Sequence, residues 1–139
     1  MSDHNIITID TYNTTLDVYL EKTAPEVEGD IKIWIDTSLS VLPKTAQILE
    51  IGTGTGRDAD YMESLGYQIH RSDYADSFIA YNQSKGKEIQ KVDILALESE
   101  ERYDLIFANA VLLHFKASEV ETIVKKIKEI LVPQGIFSF

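Results

Sequence analysis

No cysteine occurs among the 139 residues. Disulfides are therefore excluded, and a zinc site would have to be assembled from histidine and carboxylates alone. Basic residues are scarce as well: 13 Lys and Arg stand against 23 Asp and Glu, a formal net charge of −10. The field of such a chain repels polyanions, which argues against nucleic acid as a partner. The tightest cationic group, Lys125-Lys126-Ile127-Lys128, spreads around the solvated side of a helix at 3.6-residue spacing instead of forming a patch. No apolar run approaches the roughly 20 residues that span a bilayer. Met1-Ser2-Asp3-His4-Asn5 carries neither the basic nor the apolar part of a secretory leader. The expectation is a cytoplasmic protein with no membrane partner.

With 44 % hydrophobic and 26 % charged residues, the composition is that of an ordinary water-soluble globular chain. Its length fits one domain but is short for a complete doubly wound enzyme. Residues 1–46 read as an N-terminal helical cap. Within it a helix is expected over 11–22, ended ahead of Pro25 because the residue before a proline disfavours the helical region. A second spans 28–42, with Ile31, Ile35 and Leu39 on one face and Pro43 as its stop.

From residue 47 the pattern alternates. Strands are expected over 47–51, 67–72, 87–92 and 103–108, with helices over 57–65 and 77–85 closed by Gly66 and Gly86. A third helix covers 119–131, placing Val120, Ile123, Val124, Ile127, Ile130 and Leu131 on its core face. Pro133-Gln134-Gly135 reads as a turn into a fifth strand over 136–139. Strands alternating with helices imply an α/β, doubly wound, mostly parallel sheet with helices on both faces. Such a sheet binds ligands beyond the carboxyl ends of its strands, at the topological switch point.

Chemistry concentrates where the first strand turns into its helix, at Glu50-Ile51-Gly52-Thr53-Gly54-Thr55-Gly56. Glycines at alternate positions let the backbone bend and bring N–H groups close to a ligand. A dinucleotide fingerprint starting at Gly52 would need glycine at position 57, and Arg57 stands there, so a hydride-transfer enzyme is disfavoured. Asp73 lies 21 residues beyond Gly52, just past the second strand, where a carboxylate can accept both hydroxyls of a ribose. Asp93, after the third strand, could accept the exocyclic amine of an adenine while Ile94 packs on its ring. Turn aspartates that bind nothing are common in such positions.

Together these segments resemble class I S-adenosylmethionine-dependent methyltransferases over residues 47–139. Leu49 to Arg57 is similar to the first motif of that family, Ser72-Asp73-Tyr74 to its acidic second, and Val92-Asp93-Ile94 to its adenine-contacting third. The stretch from Asp104 through Asn109 to His114 resembles the fourth-strand motif, and Leu131-Val132-Pro133-Gln134-Gly135-Ile136 the turn into the fifth strand. Gln134 and Tyr74 depart from the family's more usual glycine and small aliphatic residue.

The resemblance implies a Rossmann-like core that binds S-adenosylmethionine and transfers its methyl group to a small-molecule or protein acceptor. Glu50, Gly52, Thr53, Gly54, Gly56 and Arg57 would surround the methionine portion and Asp73 the ribose. Tyr74 and Ile94 would cover the adenine faces, Asp93 would take its amine, and Asn109 would floor the sulfonium. His114 is the candidate general base, and Tyr19, with Tyr12, a candidate lid or substrate contact. No metal is called for. Family members continue past the fifth strand, so the chain reads as lacking the usual C-terminal strands. A noncatalytic S-adenosylmethionine-binding or assembly module is then the alternative, and the apolar fifth strand is expected to be an exposed edge suited to homodimer pairing.

Overall fold

The computed structural model describes residues 23–139 together with positions 16, 17 and 20. Of the expected helix over 11–22 only positions 16, 17 and 20 are described, each of them helical, and Tyr12 and Tyr19 fall outside the described set. Four α-helices are described: α1 (Gly29–Leu39), α2 (Arg57–Ser64), α3 (Asp76–Ser84) and α4 (Ala117–Ile130). They alternate with β1 (Ile48–Ile51), β2 (Ile69–Asp73), β3 (Gln90–Lys91), β4 (Tyr103–Phe107) and β5 (Leu131–Ser138). The strands form one sheet in the order β3-β2-β1-β4-β5, and every pairing is parallel.

The β1 strand is buried along its whole length, as a central parallel strand covered on both faces must be. Its residues alternate between two cores. Ile48 joins Ile69, Leu105 and Phe107 beneath α1 and α2, where Ile35, Leu39, Ala59 and Met62 fill the space. Leu49 and Ile51 join Tyr103 and Ile106 on the opposite face, against Ile123, Ile127 and Ile130 of α4. Helices therefore cover both faces, as the alternating pattern requires. The cap helix α1 is anchored at the carboxyl ends of β4 and β5: Trp34 packs at a tilt on Phe107 with ring centroids 4.5 Å apart, and its Nε1 donates to Ser138 Oγ at 2.7 Å. Among the described residues no helix is long and apolar enough to cross a membrane.

The edges differ from the sequence reading. At one edge β3 is only two residues long, because 87–92 is largely polar and exposed and pairs with β2 at Gln90 and Lys91 alone. At the other, β5 begins at Leu131, so Pro133-Gln134-Gly135 is no separate turn. Two steps along β4, from Tyr103 to Leu105, face five along β5, from Leu131 to Ile136. The surplus residues bulge out, with Gln134 at φ 65°. The α1 helix stops at Leu39, three residues short of expectation. The α4 helix starts two residues early because Glu119 reaches back to accept the Lys116 backbone N–H at 2.9 Å. Val124, expected in the core, is 42 % exposed.

Candidate functional site

The chain leaves β1 toward β2 and β3 and returns on the other side at β4, so the switch point lies between the carboxyl ends of β1 and β4. There Gly52, Gly54 and Gly56 all take positive φ, at 71°, 59° and 88°, a conformation that side chains rarely adopt. A Cβ on Gly52 would stand 2.5 Å from Val111 Cγ2, so this glycine is what lets the loop after β4 close over the turn. Thr53 keeps the turn registered on β2. Its N–H donates to Ser72 O at 2.9 Å, its hydroxyl accepts the Ser72 N–H at 3.1 Å, and Ser72 Oγ donates to Glu50 O at 2.7 Å.

Two carboxylates bracket this bend. Asp73 closes β2: its Oδ2 accepts the Gly54 N–H at 2.8 Å, and its Oδ1 accepts those of Tyr74 and Ala75 at 2.8 and 3.0 Å. Burial holds its pKa above the ordinary carboxylate value, against the opposing pull of those three amides. Each oxygen can accept more than one donor, so the Gly54 and Asp73 pair can still receive hydroxyl groups.

Glu50 is the stranger case. It occupies the third position of a strand otherwise made of Ile and Leu, is 2 % exposed, and faces the α2 side of the sheet. Among the described residues its Oε1 is the one buried side-chain polar atom without a hydrogen-bond partner. Its pKa is pushed up to about 8, first by burial and then by the charges of Asp58 and Asp73, against a Thr53 hydrogen bond and the Arg71 charge. A buried acceptor with no donor costs about 1–3 kcal/mol, more if charged, so its retention at a turn of this kind points to a ligand that supplies the donor.

Other expected residues are distributed as follows. Arg57 opens α2 and its Nε donates to Asp58 Oδ1 at 3.0 Å. Asp58 Oδ2 accepts Asn109 Nδ2 at 2.9 Å, so Asn109 is tied to the turn from the β4 side. Asp93 sits at the end of the third strand as expected, but its Oδ1 caps the short 3-10 turn Ile94–Ala96 by accepting the Leu95 N–H at 2.9 Å. Ile94, expected to pack on an adenine ring, is 4 % exposed and packs into the α4-side core. Tyr74 is half-buried, and the Lys91 ammonium lies 5.1 Å from its ring centroid. His114 is half-buried on the 3-10 turn Leu112–His114, directly after the Val111 that covers Gly52.

Sequence reasoning missed Asp58, Arg71, Asn82 and Val111. Arg71 carried a signal, since an arginine in a central strand between Ile69 and Asp73 demands buried partners. The other three become visible only once the chain has folded back. A cleft of about 400 Å³ also opens on the helical side of the turn, lined in part by Pro25, Thr55, Arg57, Asp60, Tyr81 and Lys85. Of the candidate residues only Arg57 lines it; Asp73, Asp93 and Asn109 do not.

Residues 49–139 match the family model for a methyltransferase domain. Over 136 residues the chain is 29 % identical to a probable S-adenosyl-L-methionine-dependent methyltransferase TehB of Haemophilus influenzae, covering 93 % of this chain and 46 % of that protein. The chain thus spans about half the length of the curated relatives it matches. Among solved structures, TehB from Haemophilus influenzae is similar at a TM-score of 0.63 and 26 % identity, over 76 % of this chain and 38 % of that one. The DhpI-SAM-HEP complex shares the fold at a TM-score of 0.79 and 18 % identity, over 99 % and 65 %. Magnesium protoporphyrin IX methyltransferase from Synechocystis with bound SAM does so at 0.71 and 17 %, over 94 % and 73 %. With the motif order, the parallel sheet and the family match in agreement, the chain belongs to the methyltransferase-domain family.

Proposed function

We propose that the chain binds S-adenosylmethionine in the crevice at the carboxyl ends of β1, β2 and β4, and that it transfers the methyl group to a small-molecule or protein acceptor. Glu50 carries the reading. Its partnerless buried Oε1 lies at the base of the glycine bend, and an ammonium such as that of the methionine portion would supply the missing donor and neutralise the crowd of Glu50, Asp58 and Asp73. The cofactor brings a methyl group already activated on its sulfonium, so the protein's main task is to hold the reacting groups in line.

Each residue then has a defined task. Asp73 accepts from the ribose hydroxyls, with the Gly54 amide fixed beside it. Asp93 offers its remaining oxygen to an adenine amine, and Tyr74 borders that end of the crevice. Asn109, oriented by Asp58, floors the centre next to Gly52. Arg57 holds Asp58 in place and so acts on the site through it. His114 takes the proton from an acceptor that arrives protonated. As part of the same reading, the free edge of β5 pairs with a second copy of the chain.

The experiment is transfer of an isotope-labelled methyl group from S-adenosylmethionine into separated small-molecule and protein fractions. Label is expected in one fraction and lost in Asp73→Ala. Saturable cofactor binding with no label in any fraction would favour the assembly-module alternative, and absence of binding by the folded chain would defeat both.

A further inference from the structure

Arg71 is a full positive charge in the middle of β2, 3 % exposed, beside its register partner Glu50, and its charge opposes the rise in the Glu50 pKa. Its guanidinium is fixed on one side by α2: Nε and Nη2 donate to the two Glu63 carboxylate oxygens at 3.2 and 3.0 Å, and Nη2 also donates to Asp60. On the other side Nη1 donates at 2.9 Å to Oδ1 of Asn82, a residue of α3 that is 1 % exposed.

That contact settles which way the Asn82 amide points. A guanidinium has only donors, so the amide oxygen must face it and the NH2 group must face the other way. The NH2 group meets two carbonyls, Phe78 O at 2.8 Å and Gly54 O at 2.9 Å. Gly54 is therefore gripped at both ends, its carbonyl by Asn82 and its N–H by Asp73.

The third glycine of the turn fits the same arrangement. A Cβ on Gly56 would stand 2.5 Å from Arg71 Nη1 and 2.8 Å from Asn82 Oδ1, so Gly56 clears space for this pair. A turn with three glycines has unusual conformational freedom, and ordering it on binding costs affinity unless it is ordered beforehand.

We propose that Asn82, aimed by the buried Arg71, is a positioning residue that pre-orders the glycine turn for nucleoside binding by clamping the Gly54 peptide. The proposal rests on the reading of the crevice as the S-adenosylmethionine site. It adds two residues, neither of which touches the cofactor, that set affinity from behind the turn.

Asn82→Asp is the discriminating change. It keeps the shape and the acceptor for Arg71 but replaces the donor to Gly54 O with a carboxylate oxygen that repels it. In calorimetry with S-adenosylhomocysteine the dissociation constant is expected to rise about tenfold, the effect of losing one well-placed hydrogen bond. Amide exchange at Gly54 in the unliganded protein should accelerate by more than any fall in the urea midpoint accounts for. A folded variant with affinity within twofold of the parent and unchanged Gly54 exchange overturns the proposal, as does an affinity loss that merely tracks a fall in the urea midpoint. If the variant does not fold, the unaltered chain decides: the Asn82 side-chain amide protons should be strongly protected from exchange, and free exchange sinks the clamp. Should the parent itself fail to bind S-adenosylhomocysteine, the functional reading fails, and Gly54 exchange alone still judges the clamp.

Discussion

Glu50 is the residue at which sequence, burial and chemistry pull hardest against one another. The folded chain keeps a proton on it up to about pH 8, whereas its ordinary value is 4.5. Between those values the folded state holds more proton than the unfolded one, so stability falls as pH rises through the window. The contribution is fully present below about pH 4.5 and lost above about pH 8. Glu50→Gln removes the titration. Urea unfolding across pH 5 to 9 is expected to show a flatter profile for the variant, which should be the more stable form at pH 9 by on the order of 5 kcal/mol. A parent and variant with parallel profiles would contradict this electrostatic account. The same substitution should weaken S-adenosylhomocysteine binding, because the carboxyl can give up its proton to balance an incoming ammonium and the amide cannot.

At the scale of elements, local rules were readable and long-range ones were not. The α4 helix could be read from its 3.6-residue spacing, and Ile123, Ile127 and Ile130 are buried as that spacing requires. The glycine turn was readable because positive φ is a local demand that Gly52, Gly54 and Gly56 meet. Asp58 and Asn109 meet across 51 residues, and Arg71 and Asn82 from a strand and the following helix; no spacing rule encodes either pair. The β5 strand shows the opposite error. Pro133 and Gly135 are turn formers by local chemistry, yet pairing with β4 draws them into the strand as a bulge. That bulge also limits the edge, since proline and a left-handed residue both discourage strand addition. The segment 136–138 is what remains for a second copy. Sedimentation at increasing concentration should show a dimer that Phe137→Lys dissolves, and a chain that stays monomeric at high concentration would remove β5 from the account.

For the molecule as a whole, the parallel sheet gathers the ends of β1, β2 and β4 on one rim while the cores lie beneath it. The rim carries Glu50, Asp58 and Asp73 in a chain of net charge −10, so a cationic sulfonium and ammonium are favoured there and polyanions are not. The cleft beside Tyr81 and Lys85 is the competing location, and it shares only Thr55 and Arg57 with the turn. Titration of isotope-labelled chain with S-adenosylhomocysteine, followed by the backbone amide resonances, separates the two. The account predicts saturable shifts at Gly52, Gly54, Asp73, Tyr74 and Leu95 with Tyr81 and Lys85 little affected. Shifts confined to Tyr81, Lys85 and their neighbours, or none at saturating ligand, would contradict it.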